Sequence, residues 1–465
     1  MVWRSRSLGI VLIVALVLRI CFAIAVYVVT GTLDAYHIAD SWNYIRAAKS
    51  LINHASFFAD GTPEILRTPG YPLLLTPGIL LGHIEIVTVL IQCLLSCLTV
   101  YLVFLTSREI FRDDRIALFG AVLYAFEPLS ILYVSILLTE TLFAFLIMSF
   151  VYAFTVYMRT QKLGHLIGAC LFLIGSIYVR PASYYLPVLI SGFILLFGLL
   201  YRDHVCKLLG HALIFALLSV VILGAWQTRN YVQTGYWGFS STAPYNLYFW
   251  MGSLIVAGKT GQTPDSIRNK WGEFSPEQYF IEHPSQREWS EYKILNWQQK
   301  QGTIFIKENL YDYFRLVLKG ATYNLLGSGF ETCRYLLRSK TNPFRPTKET
   351  GRELDLGASI FVQAINWMRS LPLMLLIIQV AFLKLLTITY LFTIPGVIYG
   401  FKTNITVTCF MILTTAYLIL IPAAVGLWSS RYRMPTMPII CVFSGYGLLR
   451  FMRFFEEKKD RGFAC

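Results

Sequence analysis

The chain has 465 residues, of which 56% are hydrophobic and only 14% are charged, and its formal net charge is +14. A soluble domain has roughly 45–50% apolar and about 25% charged residues, so this composition excludes an ordinary water-soluble protein. The positive charge is shared between predicted cytoplasmic loops and one long outer segment. In both places it favours contact with anionic membrane lipids, so it requires no nucleic acid as partner.

Ten apolar runs follow one another along the chain, most of them near the ~20 residues that cross a bilayer as a helix. They cover residues 9–29, 85–106, 116–136, 137–157, 165–179, 183–200, 208–226, 371–399, 405–427 and 438–450. The sequence therefore predicts an all-α polytopic membrane protein with amphipathic juxtamembrane helices. We divide it into an N-terminal membrane module (1–227) with a first loop (30–84), an outer segment (228–370) and a C-terminal membrane module (371–465).

Lys and Arg in short loops predict the orientation, because these residues are retained on the cytoplasmic side. They recur in every second connection: Arg4, Arg6; Arg108, Arg112, Arg115; Arg159, Lys162; Arg202, Lys207; Lys402; Arg450, Arg453, Lys458, Lys459, Arg461. Both termini are therefore predicted to be cytoplasmic, and the first loop and outer segment to lie outside a cell (inner) membrane. The outer segment is equally basic, but long loops are translocated largely regardless of charge.

The first loop combines a predicted amphipathic helix with a rigid turn. Apolar residues recur at helical spacing from Trp42 to Ile52, which indicates a short interfacial helix. The stretch TPEILRTPGYP that follows contains three prolines, which favour a fixed, non-helical backbone. In the outer segment, apolar and charged residues interleave around 305–330, and helices lying on the membrane are expected there.

Acidic residues near the outer ends of spans are the first candidates for chemistry. Asp34 and Asp40 lie in the first loop, and Glu140 lies near the outer end of the run 137–157. Such a carboxylate can act as a general base or hold a divalent cation. Structural roles are the alternatives: Asp40 as the N-cap of the predicted helix, and Glu140 as a charge that complements a helix dipole.

Arginines form the second group of candidates. The sequence places Arg67, Arg180, Arg229, Arg431 and Arg433 at outer ends of spans. A single arginine at a membrane boundary is often an anchor that reaches toward water. Five of them on one side would suit a phosphate, because a guanidinium binds phosphoryl oxygens in bidentate fashion.

Taken in order, several motifs resemble the GT-C glycosyltransferases, in the branch of the bacterial aminoarabinose transferases and protein O-mannosyltransferases. The motifs are Asp40 and Tyr44 in DSWNYIRAAKSL, RTPGYPLLL at 67–75, Glu127-Pro128 followed by Glu140 in LTETLF, Arg180-Pro181, RNYVQTG at 229–235 and RYRMPTMP at 431–438. The resemblance covers nearly the whole chain and rests on the order of the motifs and their common predicted side.

The resemblance implies roles for the acids. The first-loop catalytic acid of the family corresponds to Asp40 and its second-loop acid to Glu140. This chain has Asp40-Ser41 where the family more commonly has Asp-Glu, so Asp34 stays a competitor for the catalytic role. The sequence leaves open whether Mg²⁺ or Mn²⁺ bridges Asp40 and Glu140.

The resemblance also implies the reaction, transfer of a sugar from a polyprenyl phosphate to a hydroxyl or amine of a lipid, glycan or protein, with Asp40 as general base. Arg67, Arg431 and Arg433 correspond to contacts with the lipid phosphate, and Tyr44, Tyr71, Arg180 and Arg229 complete the candidate donor-binding set. The rival interpretations are a polytopic transporter or lipid flippase, and an O-antigen ligase or polymerase. A transporter would place ionisable residues near the bilayer midplane and often shows repeat symmetry.

Overall fold

The computed structural model describes residues 2–59, 61–200, 205–337 and 373–462. Within these segments the chain is almost entirely helical, and its strands form one short antiparallel hairpin, Phe58–Ala59 (β1) with Thr62–Pro63 (β2). The predicted all-α class is confirmed. The last part of the outer segment, 338–370, and Asp60 of the first loop lie outside the described residues.

Helices account for each of the predicted spans. Those of the N-terminal module are α1 (Val2–Thr30), α2 (Ala39–His54), α3 (Gly70–Leu80), α4 (Ile84–Phe111), α5 (Asp114–Ala125), α6 (Pro128–Leu132), α7 (Glu140–Thr160), α8 (Leu163–Val179), α9 (Leu186–Leu200) and α10 (Val205–Thr234). Short 3-10 turns at Leu33–Tyr36, Tyr133–Ser135 and Pro181–Ser183 connect some of them.

The outer segment consists of shorter helices, and three long helices complete the chain. The outer segment contains α11 (Thr242–Tyr245), a π-helical stretch (Asn246–Gly252), α12 (Ser253–Thr260), α13 (Pro264–Lys270), α14 (Pro276–Glu282), a 3-10 turn (Pro284–Gln286), α15 (Glu291–Glu308), α16 (Leu310–Leu326) and α17 (Phe330–Leu336). Then follow α18 (Leu373–Thr403), α19 (Ile405–Ala424), a 3-10 turn (Ser430–Thr436) and α20 (Met437–Gly462).

Seven described helical segments are long and apolar enough to cross a membrane, or eight if one bent pair counts as a span. The bent pair joins 114–125 to 128–135 at an angle of 58°. The predicted runs 165–179 and 183–200 correspond to shorter apolar helices of 10–17 residues. The run 371–399, which Lys384 interrupts, forms one helix where described.

The bend replaces the straight span predicted at 116–136, and Pro128 explains it. Glu127 precedes this proline and is extended, with ψ 120°, because a following proline disfavours the helical conformation. Its carboxylate accepts the N–H of Ser130 at 2.6 Å and so caps α6.

The helices of the two membrane modules pack into one core. Helix α7 packs on α4 and α8, and α20 packs on α4, α5 and α18. The approach of α20 to α5 requires a glycine, since a Cβ on Gly445 would lie 2.3 Å from the carbonyl oxygen of Ile116. Small residues allow such close backbone contacts between membrane helices.

The first loop differs from its prediction in two details. Helix α2 buries Tyr44, Ile45 and Ala48, whereas Trp42 is 51% exposed, so its buried face is rotated relative to the predicted one. The non-helical stretch ends earlier than predicted, because α3 begins at Gly70.

Two helices of the outer segment fall in the region expected to lie on the membrane. Helix α16 packs against α19, with Ala321 beside Ile419 and Ala423. The helix also has an exposed apolar face that includes Tyr311, Phe314 and Leu318. The amphipathic character is as predicted, and contact of this face with lipid stays a prediction.

Candidate functional site

Five charged side chains from distant parts of the chain form one connected group, which we call the carboxylate–arginine network. Arg67 Nη2 donates to Asp40 Oδ1 at 2.7 Å. Arg180 Nη1 donates to Glu140 Oε1 at 2.9 Å. Arg431 lies between the two acids, with Nη1 3.7 Å from Asp40 Oδ2 and Nε 3.9 Å from Glu140 Oε1. One guanidinium therefore links the two carboxylates.

The five residues meet because each lies beside the beginning or end of a helix. Asp40 is in the first turn of α2, and Glu140 is the first residue of α7. Arg180 follows α8 and is extended (φ −148°, ψ 117°), because Pro181 disfavours continuation of the helix. Arg431 lies in the 3-10 turn before α20. Acids and arginines that are far apart in sequence thus share one end of the bundle.

Asp40 does not cap α2, so its interpretation as an N-cap is wrong. The N-cap residue is Ile38, whose backbone N–H donates to Ser41 Oγ at 3.0 Å. The Asp40 carboxylate is therefore available to Arg67 and Arg431. Glu140 does begin a helix, as the dipole interpretation requires, but it also carries its own arginine partner.

Arg67 is positioned by its own loop and by the outer segment. Glu64 Oε1 accepts the backbone N–H groups of Leu66 and Arg67 at 2.7 and 2.9 Å. The hydroxyls of Ser240 and Thr242 both donate to the carbonyl oxygen of Leu66, at 2.7 and 3.0 Å. The backbone beside Arg67 is therefore fixed from two directions.

The network has one more cation than anions, and its two acids differ in exposure. The Glu140 side chain is 1% exposed and the Asp40 side chain 33%. A buried carboxylate requires a charged partner, which explains the close pairing of Glu140 with Arg180. Asp40 reaches solvent, so an incoming molecule can contact it. The excess of guanidinium favours an anion such as a phosphate.

A divalent cation between Asp40 and Glu140 does not fit this set of donors. Each acid has a guanidinium within 3 Å, and Arg431 lies between them. Across the described ranges there is no group of three or more His, Cys, Asp or Glu side chains that could hold a metal ion.

Two tyrosines of the candidate set pack beneath Arg67. The Tyr44 ring lies 5.4 Å from the Arg67 guanidinium and meets the Tyr71 ring edge-on at 5.1 Å. The Tyr71 hydroxyl donates to Gln92 Oε1 at 3.0 Å, so it is engaged within the protein. Burial raises the pKa of Tyr44, which keeps its hydroxyl neutral. The pair forms a rigid floor for the guanidinium.

Sequence reasoning missed Tyr432. Its ring lies 4.9 Å from the guanidinium carbons of both Arg180 and Arg431, and its hydroxyl accepts from Arg431 Nη2 at 2.8 Å. It thereby holds two arginines of the network in fixed orientations. The one sequence signal for this role of Tyr432 was its position between the two arginines of the RYR motif.

Asp34 and Arg433 of the candidate set lie outside the network. Asp34 is exposed in the 3-10 turn before α2, where its N–H donates to Thr32 Oγ1 at 3.2 Å. Arg433 is 1% exposed, and its Nη1 donates to the carbonyl oxygens of Leu325, at 2.9 Å, and Gly327. The guanidinium of Arg433 therefore holds the backbone at residues 325–327 in place.

Arg229 also binds backbone instead of joining the network. Its Nη1 donates to the carbonyl oxygen of Glu64 at 2.8 Å and its Nη2 to that of Phe57 at 2.5 Å. The guanidinium lies 5.0 Å from the Trp226 ring and 5.7 Å from the Phe57 ring. Arg229 therefore ties together the two sides of the β1–β2 hairpin, directly before the loop that presents Arg67.

Replacing Arg229→Ala is expected to loosen this hairpin, because two carbonyl groups lose their charged donor at a cost of about 1–3 kcal/mol. Hydrogen–deuterium exchange of the amides in 57–67 should become faster, while exchange in α7 stays unchanged. Arg287→Ala, at an exposed position of the outer segment, is the matched control. Unchanged exchange in 57–67 would contradict the assignment.

Comparison with known proteins agrees with this architecture. Residues 67–226 match the family model described as dolichyl-phosphate-mannose-protein mannosyltransferase. Among solved structures, the archaeal oligosaccharyltransferase AglB from Archaeoglobus fulgidus, in complex with an inhibitory peptide and a dolichol-phosphate, has a TM-score of 0.54 at 15% identity over 100% of this chain and 52% of that chain. The apo form of the Archaeoglobus fulgidus oligosaccharyltransferase has a TM-score of 0.53 at 15% identity, over 99% of this chain and 52% of that chain.

The chain thus spans about half the length of these solved structures, and the likeness to them is one of fold. No curated protein sequence matches the chain. The family-model match together with the shared fold confirms the resemblance to the GT-C superfamily of membrane glycosyltransferases. Asp40 and Arg431 lie outside the matched range 67–226, which contains Arg67, Glu140 and Arg180.

Proposed function

We propose that this protein transfers a sugar from a polyprenyl-phosphate donor to an acceptor hydroxyl or amine on the extracytoplasmic face of a cell membrane. The carboxylate–arginine network carries the proposal, because it combines a solvent-reaching acid with an excess of guanidinium. The family match supports a lipid-linked sugar as donor. The dolichol-phosphate bound to the archaeal oligosaccharyltransferase of the same fold supports a polyprenyl phosphate as its lipid part.

The arginines bind the leaving phosphate. When the sugar leaves the donor, the lipid phosphate becomes a monoester anion that needs cationic stabilisation more than a proton. Arg67 and Arg431 both contact Asp40 and are partly exposed, at 19% and 26% of their side chains. A phosphate that approaches Asp40 therefore meets two guanidiniums. Each preorganised donor aimed at developing charge contributes roughly 3 kcal/mol.

Asp40 accepts the proton of the acceptor. As the acceptor oxygen or nitrogen bonds to the anomeric carbon, the bond from that carbon to the phosphate oxygen breaks, and the acceptor proton moves to the Asp40 carboxylate. Attack opposite the leaving phosphate inverts the anomeric centre. Phosphate binding draws Arg67 and Arg431 away from Asp40, which leaves its carboxylate free to act as base.

Glu140 acts on the site through the arginines. It is almost fully buried and holds Arg180 at 2.9 Å and Arg431 at 3.9 Å. We assign it as a positioning residue that aims the two guanidiniums at the phosphate. The outer segment, which fixes the backbone beside Arg67, contributes acceptor selection. The acceptor is a glycan, a lipid or a protein.

The test is donor consumption by the purified protein in nanodiscs, supplied with total polyprenyl-phosphate sugars from the source cell. Consumption of the lipid-linked sugar, with release of polyprenyl phosphate, supports the proposal. The rival outcome is movement of intact sugar lipid across sealed proteoliposomes without consumption, and this result would overturn the proposal in favour of a flippase.

A further inference from the structure

A groove between α18 and α20 lies far from the carboxylate–arginine network. It has a volume of about 410 Å³ and is lined by Phe392, Pro395, Gly447, Arg450, Phe451 and Phe454. Arg450 is thirteen residues beyond Met437, where α20 begins near the network, so it lies about 20 Å further along the helix axis. The groove is therefore separate from the proposed donor site.

The contacts of α20 place the groove near the opposite end of the bundle. Arg453, one turn from Arg450, lies 4.0 Å from Asp113 in the turn between α4 and α5. Helix α4 starts at Ile84, beside the first loop, and ends at this turn. The groove thus opens in the leaflet away from Asp40.

Both helices that form the groove are long and apolar enough to span a membrane. Their outer surfaces expose Leu391, Ile394 and Phe451 at 59%, 60% and 50%. At the floor of the groove the helices touch, since a Cβ on Gly447 would lie 2.1 Å from the carbonyl oxygen of Phe392. In a bilayer such an apolar, aromatic-walled groove faces the acyl chains and has room for one.

The lining is apolar except for Arg450, an exposed residue one turn before Phe454, where the candidate membrane span ends. A guanidinium at that depth pairs with a lipid phosphate, and basic pockets between membrane helices are known sites for anionic head groups. The groove therefore offers an apolar slot for an acyl chain beside a phosphate ligand.

We propose that this groove is a binding site for an anionic glycerophospholipid, with its phosphate on Arg450 and one acyl chain along the apolar lining formed by Phe392, Pro395 and Phe451. The site lies in the leaflet opposite the network, so its occupant is a bilayer lipid and not the sugar donor. The proposal does not depend on the proposed transferase activity.

Native mass spectrometry of the purified protein tests it, with dioleoyl phosphatidylglycerol and dioleoyl phosphatidylcholine titrated into the micelles. Wild type should retain phosphatidylglycerol in preference to phosphatidylcholine. Arg450→Gln should weaken phosphatidylglycerol binding by about fivefold, and Arg450→Lys should restore part of it. Arg453→Gln, one turn further along α20 and outside the groove lining, is the matched control and should bind as wild type.

Two results would overturn the proposal. One is an equal loss in Arg450→Gln and Arg453→Gln, which would indicate a general belt of positive charge. The other is displacement of phosphatidylglycerol by undecaprenyl phosphate at equimolar concentration with the same Arg450 dependence, which would make an isoprenoid lipid the occupant. Melting temperatures of all variants check that the fold is intact.

Discussion

Asp40→Asn is expected to lower the rate of sugar transfer by about 10²–10⁴-fold while the protein stays folded. Asparagine has nearly the same shape, but its amide cannot accept the acceptor proton as a base. Asp40 is one-third exposed and is not the N-cap of α2, so the variant should melt within a few degrees of wild type. The measurement is single-turnover consumption of a polyprenyl-phosphate sugar at saturating donor.

Asp34→Asn is the matched control. It lies in the same loop, six residues earlier, but does not join the network in the described structure. Wild-type turnover by Asp34→Asn together with loss in Asp40→Asn separates the two acids. Normal turnover by Asp40→Asn would contradict the assignment of Asp40 as the base and would leave Asp34 and Glu140 as the candidates.

Arg431→Gln should lower kcat/KM for the donor by roughly 10²–10³-fold, because the variant loses the guanidinium that both acids share. Glutamine keeps a polar side chain but cannot stabilise the phosphate charge. Arg431→Lys should fall between the two, since a lysine keeps the charge and loses the forked geometry. The measurement is the initial rate against donor concentration.

A double-mutant cycle with Glu140→Gln checks this coupling. If Glu140 acts by orienting Arg431, the double variant should be little worse than Arg431→Gln alone. If the loss of kcat/KM in the double variant equals the product of the two single losses, the two residues act independently, contrary to the assigned positioning role of Glu140.

The sequence was sufficient for the membrane architecture, because twenty-residue apolar runs have few other structures available. It also grouped the acids and arginines on one side, through the alternation of basic loops. Arg67, Arg180 and Arg431 do lie together with Asp40 and Glu140 at one end of the bundle. The side of the membrane itself stays a prediction.

The roles of individual arginines could not be predicted. Arg229 and Arg431 occupy similar sequence positions beside spans, yet one binds backbone carbonyls and the other binds carboxylates. The difference depends on which chain segment packs beside each guanidinium, and only tertiary structure sets that. The bend before Pro128 could have been inferred from the proline, whereas the contact of Tyr432 with two arginines could not.

The most direct test of the proposed site is an electron cryomicroscopy structure of the protein in nanodiscs with bound polyprenyl phosphate. We expect the phosphate within hydrogen-bonding distance of Arg67 and Arg431, with Asp40 released from at least one of them and open to solvent. A phosphate bound elsewhere, with the Arg67–Asp40 pair intact, would contradict the assignment of the network as the site of sugar transfer.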